Sequence, residues 1–139
     1  MSQVGIGRVK LSDGTELKLQ IMIVDVKDAG FSPLGGVNFA VNAVGGIATS
    51  RVPEELRKAV EGRPLAVQVP EDGWELVDIV EFEPAVVETV AEAKGGKFVV
   101  RVEAEPVMAA RNLRYRSMDG GPYYWLSWVY KTRWRPEGA

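Results

Sequence analysis

The chain contains no cysteine and no histidine. Lack of cysteine excludes disulfides, a thiolate nucleophile and thiolate-bound zinc. Lack of histidine removes the Ser-His and Cys-His nucleophilic pairs and the usual acid–base group near neutral pH. Any catalysis would rest on carboxylates, Lys, Arg, Tyr, Ser or Thr, and the residues point to a non-enzymatic protein with no cofactor and no metal. Asparagine and glutamine are also scarce (Asn38, Asn42, Asn112, Gln3, Gln20, Gln68), while valine is abundant, a composition compatible with a thermophilic source. No apolar run reaches the ~18 residues of a membrane span; the longest candidate, Leu19 to Val26, is interrupted by Gln20 and Asp25. The first residues lack the basic-then-apolar pattern of a secretory signal. A cytoplasmic protein with no membrane partner is therefore expected.

What is present is an ordinary globular composition, 46% hydrophobic and 26% charged over 139 residues, enough to build a core. With no internal repeat or long linker, 1–139 reads as one β-rich domain. Short β-forming runs broken by Gly, Asp and Pro predict a mainly β fold, an antiparallel β-barrel or sandwich. The first run is Val4 to Leu11 and the second Glu16 to Val26, joined by a Ser12-Asp13-Gly14-Thr15 turn. In the second run Leu17, Leu19, Ile21 and Ile23 share a face. An odd-length loop keeps the apolar faces together, with Leu11 opposite Leu17 and Val9 opposite Leu19, and a three-residue loop with a bulge is expected. Residues 28–36 read as a loop, and Val37, Phe39, Val41 and Ala43 as the inward face of a further strand.

One short helix is expected at about 53–61. Pro53 suits its first position, Glu54 and Glu55 suit its positive end, and Gly62 followed by Pro64 stops it. At that length it is marginal alone, and it is expected to plug one end of the sheets. Strands follow at Leu65 to Val69 and Trp74 to Phe82. The segment 85–94 is compatible with a helix, which would make the fold α+β, but its β-branched content and a turn about Gly95-Gly96 favour a hairpin with 97–105 that sets Val87 against Val102. Residues 108–116 tolerate either state.

Charge is unevenly distributed. From Glu71 to Glu105 there are ten acidic and three basic residues; from Val107 to Arg135 there are six basic and one acidic, so the net charge of −2 conceals a basic C-terminal segment. Such a segment either binds a polyanion or neutralises the acidic one across the fold. A hairpin turning at Asp119-Gly120-Gly121-Pro122, with Arg116 opposite Tyr123, would collect Arg114, Arg116, Tyr123, Trp125, Lys131 and Arg133 on one face. Leu126, Trp128 and Tyr130 would fall on the other. A basic-aromatic sheet face suits single-stranded DNA or RNA, because cations engage phosphates and rings stack on bases. The same residues also serve as cross-strand packing, or as an interface in a structural homo-oligomer that uses the hairpin for assembly.

Other constellations are weaker. Glu81 and Glu83 share a strand face, with Asp78 opposite; paired carboxylates can hold Mg²⁺ or do acid–base work, but a solvated edge explains them. The four Gly-Gly pairs lack the following Lys-Ser/Thr and helix of a phosphate loop. Thr49-Ser50-Arg51, before the helix, reads as cap rather than anion site.

Overall fold

The computed structural model describes residues 4–138. The chain forms β1 (Val4–Leu11), β2 (Glu16–Asp28), β3 (Phe39–Arg51), α1 (Glu54–Ala59), β4 (Trp74–Val77), β5 (Ile79–Glu83), β6 (Ala85–Ala93), β7 (Gly96–Arg116) and β8 (Pro122–Pro136). Two antiparallel sheets result. One has the order β3-β2-β1-β5; in the other β7 pairs with β8 along one edge and with β6 and β4 along the opposite edge. This is the expected mainly β architecture in its sandwich form, with one short helix. The α+β alternative is not adopted, since 85–93 and 96–116 are both strands.

Side-chain alternation puts the core between the sheets. Val9, Leu11, Leu17, Leu19 and Ile21 from the first sheet meet Val87, Val102, Ala104, Ala109 and Leu126 from the second. A smaller cluster holds Val37, Phe39, Ala93 and Val100, where Phe39 makes edge-to-face contacts with Phe98 and Trp134. In β7 the register shifts between Pro106 and Met108. The bulge carries the inward face from Ala104 and Pro106 to Ala109, so a strand of 21 residues keeps one buried side.

One long side of the sandwich is closed by the chain itself. The run expected as a single strand over Trp74–Phe82 is split at Asp78. Its first half pairs with β7 in one sheet and its second half with β1 in the other. The chain returns to the second sheet after Pro84, which cannot donate a ladder hydrogen bond and so permits the change of sheet. The returning backbone crosses directly over β1, where the inward positions are Gly5 and Gly7. A Cβ on Gly7 would lie 2.5 Å from the Glu83 carbonyl oxygen, and one on Gly5 would meet that of Val86. The opposite long side is open: β3 and β8 are the outermost strands, each hydrogen-bonded along one edge only.

Several sequence expectations are corrected in detail. The β1–β2 loop has the expected three residues, Ser12, Asp13 and Gly14, with the Leu11 N–H donating to the Thr15 carbonyl at 2.9 Å, but the pairing differs. Val9 therefore faces Leu17, not Leu19; parity is kept but the pairing moves by two residues, because Asp13 accepts the Thr15 N–H and tightens the turn. Residues 65–69 form no strand. Only Leu65 bridges to Arg116, and Val67 is exposed between Pro64 and Pro70. The β6–β7 register agrees with expectation, Val87 opposite Val102, although the turn residues are Lys94 and Gly95, both with positive φ. The helix buries none of its own residues. It lies beside the β7–β8 turn, where Arg57 donates to the Asp119 carbonyl at 2.7 Å, while Val52 and Val60 at its flanks enter the interior.

Candidate interaction surface

Strand β8 carries most of the residues singled out by the sequence. Its alternation places Tyr123, Trp125, Lys131 and Arg133 on the outer face, and Tyr124, Leu126, Trp128 and Tyr130 toward the first sheet. Tyr123 and Lys131 are eight residues apart, about 27 Å along an extended strand, so the set forms a stripe, not a cluster. Arg114 and Arg116 depart from it. The β7–β8 register breaks between Asn112 and Arg116, and Arg116 pairs with Pro122 rather than Tyr123. The break is local: the Asn112 side chain turns back on its own backbone, accepting the Arg114 N–H at 2.9 Å, and also donates to the Asp72 carbonyl at 2.7 Å.

Each cation of the set has a partner. Lys131 lies 2.7 Å from Glu105, Arg133 3.8 Å from Glu103, and Arg114 3.4 Å from Asp72. Arg116 donates to the Arg63 carbonyl at 3.5 Å. Arg101 joins the ladder between Glu88 and Glu103. Proximity to Glu105 holds the Lys131 ammonium above its ordinary pKa. The acidic and basic segments thus neutralise each other across β7 and β8. The spacing of Glu103 and Glu105, matching that of Arg133 and Lys131, is the sequence signal for it.

The aromatics divide as well. Tyr123 packs edge-to-face on Trp74 at 5.7 Å, and the Trp74 indole donates to the Pro70 carbonyl at 2.8 Å. Trp125 is 50% exposed and shares a row with Ala110 and Leu76. Leu76 is itself 72% exposed, and Met108, Val107 and Val129 continue the exposed apolar strip.

Around the open side, β3 and β8 flank a cleft of about 490 Å³. Gly46, Ile47 and Ala48 line it from β3, and Leu126 and Trp128 from β8. Thr49, Ser117 and Asp119 stand at one end, where the Asp119 carboxylate accepts from both hydroxyls and from the Gly121 N–H. Tyr130 points toward the sandwich interior, where its hydroxyl and the Trp128 ring lie beside Gly45 of β3, yet it is 40% exposed. From Phe39 to Ser50 β3 carries no charged residue.

A polar network that the sequence did not announce ties the β1–β2 turn to the second sheet. The Tyr124 hydroxyl donates to Asp13 at 2.8 Å and lies 2.6 Å from the Thr15 hydroxyl. Arg111 reaches Asp13 at 3.1 Å and Glu75 at 2.7 Å. Burial alone would raise the Asp13 pKa. Hydrogen bonds from the Thr15 backbone, from Tyr124 and Thr15 side chains and from Arg111 outweigh it, so the group is held below its ordinary value. Burial pushes the Tyr124 phenol well above its ordinary value.

The carboxylates considered for metal or acid–base work are dispersed. Glu81 pairs with Lys10 at 3.3 Å, Glu83 stands opposite Arg8, and Asp78 sits at the sheet crossing, its carbonyl accepting from the Ser12 N–H. Among the described residues no group of three or more acidic side chains is placed to hold a metal ion, and no helix is long and apolar enough to cross a membrane.

Fold and surface together define an antiparallel β-sandwich with one open side. No protein-family model matches the chain, no curated protein matches it in sequence, and no solved structure matches its fold.

Proposed function

We propose that the protein is a non-enzymatic assembly module that associates with further copies of itself through the open side of the sandwich. The observation that carries this reading is the pair of long, unpaired edges: β3, free of charge along most of its length, and β8, with Trp125 half exposed on its outer face. An edge strand offers a row of free N–H and C=O groups that can template pairing; β3 carries no charge there, and on β8 the cations Lys131, Arg133 and Arg135 are confined to the second half. The apolar strip of Leu76, Met108, Trp125 and Val129 adds surface of the kind that marks protein contacts. Sedimentation velocity over a wide concentration range is the test. A concentration-dependent dimer or larger species that dissociates in Trp125→Asp with Val129→Asp is expected; a monomer at every concentration would overturn the reading.

A second reading, single-stranded DNA or RNA binding through Arg114, Arg116, Tyr123, Trp125, Lys131 and Arg133, is favoured by one observation. Trp125 is exposed on the same outer face as Lys131 and Arg133. The ion pairs to Glu103 and Glu105 oppose it, since each would compete with a phosphate. If nucleic acid binds there, Glu103→Gln with Glu105→Gln frees two cations and strengthens the salt-sensitive quenching of tryptophan fluorescence by an oligonucleotide. No quenching by either protein at low salt would eliminate this reading.

A further inference from the structure

We infer that the partner copy docks edge to edge on β8, antiparallel, about a two-fold axis that sets Val129 opposite the partner's Val129. The inference rests on the self-assembly reading and specifies its interface.

The outward residues of β8 run Tyr123, Trp125, Ser127, Val129, Lys131, Arg133 and Arg135. Aromatics fill the first half and cations the second, with no outward acid between them. A strand of this kind is complementary to itself only when reversed. With the axis at Val129, Trp125 faces the partner's Arg133, Tyr123 faces the partner's Arg135, and Ser127 faces the partner's Lys131. Both outward aromatics then meet a guanidinium, the cation that stacks best on rings. Isologous symmetry makes every such pair occur twice.

Other registers lose this match. A parallel, in-register pair would set Lys131, Arg133 and Arg135 each against its own copy, a row of like charges. Moving the axis to Lys131 puts that residue opposite itself, and moving it to Ser127 leaves Arg133 and Arg135 with no aromatic partner. The cations therefore act as selectors of register as well as ligands of the rings. Their intrachain partners Glu103 and Glu105 lie on β7, on the side away from the free edge. They can hold the head groups while the edge pairs.

The inward side chains agree. Tyr130 and Trp128 point toward the interior, but Tyr130 remains 40% exposed and Trp128 borders the cleft. The same axis places Trp128 opposite the partner's Tyr130, so the exposed part of the Tyr130 ring gains a cross-strand neighbour. The free N–H and C=O groups of β8 gain partners in the same step.

The absence of native cysteine makes the test direct. Single Val129→Cys, Val44→Cys and Val24→Cys variants would be treated with a short bis-maleimide, beside sedimentation velocity of the unlabelled wild type. The register predicts rapid dimeric cross-linking at Val129 and little at Val44 on β3 or Val24 on β2. A mixture of Trp125→Cys with Arg133→Cys should cross-link between the two variants faster than either does alone. Arg133→Glu together with Arg135→Glu should weaken the dimer by roughly tenfold or more, with circular dichroism unchanged. A wild-type dimer that cross-links at Val44 and not at Val129 overturns the β8 interface while leaving self-assembly standing. A wild type that sediments as a monomer overturns both.

Discussion

The Tyr124 hydroxyl and the Asp13 carboxylate, 2.8 Å apart, join the two sheets. Tyr124 comes from β8, and Asp13 from the turn between β1 and β2. The contact is completed by Thr15, which is fully buried, and by Arg111, so a polar clasp pins the turn end of the first sheet to the C-terminal part of β7. Removing the hydroxyl leaves buried partners unsatisfied, which costs more than a hydrogen bond contributes on average. Tyr124→Phe should lower unfolding free energy by about 1–3 kcal/mol, read from the urea midpoint. In a double-mutant cycle with Asp13→Asn the two losses should fall short of additive.

The same clasp sets an acid limit. Because the folded state holds the Asp13 pKa below its ordinary value of 3.8, the carboxylate contributes its full stabilisation above that unfolded value. The contribution is lost as pH falls through the folded pKa. Urea midpoints measured from near neutrality down to about pH 3 should decline in the wild type, and the decline should be shallower in Asp13→Asn. Equal slopes in both proteins would remove Asp13 as a source of the acid sensitivity.

Glycine substitutions should separate sharply by position. At Gly5 and Gly7 a Cβ collides with backbone atoms of Val86, Glu83 and Ala85, which cannot rotate aside as a side chain would. Gly7→Ala should therefore cost about 1–3 kcal/mol or prevent folding. Gly46 has open space around its Cβ direction and no positive φ, so Gly46→Ala should be neutral or stabilise by up to about 1 kcal/mol. Thermal midpoints of the two variants give the comparison.

Adjacent residues of β8 should behave oppositely. Leu126 is buried in the main core, and Leu126→Ala should cost about 2–5 kcal/mol through the cavity it leaves. Trp125 faces outward, and Trp125→Ala should change the stability of the dilute monomer by no more than about 0.5 kcal/mol. A large loss at Trp125 under dilute conditions would show that its ring is part of the core.

The strand pattern was legible wherever one face is apolar and the other polar. Leu17, Leu19 and Ile21 identified the inner face of β2, and Val87 opposite Val102 fixed the β6–β7 hairpin. Position 78 was not legible, because a strand that changes partners midway keeps its alternation and hides the change. The outer stripe of Tyr123, Trp125, Lys131 and Arg133 could be read from spacing alone. Its electrostatic state was only hinted at by the matching spacing of Glu103 and Glu105, since these lie on a different strand and the β7–β8 register is what brings them opposite. The break after Asn112 displaced Arg114 and Arg116 for a similar reason: a side chain bonding to its own backbone competes with the ladder, and no hydrophobic periodicity records that.

The crossing at Asp78 and Pro84 also orders events in time. Val9 finds its second neighbour only in Phe82, so one edge of β1 stays unpaired until β5 has been synthesised. The β6–β7 and β7–β8 hairpins, by contrast, join strands adjacent in sequence. The long-range pairing of β1 with β5 slows folding. During synthesis β1 is open to wrong partners until β5 follows, although in the finished sandwich the open edges belong to β3 and β8.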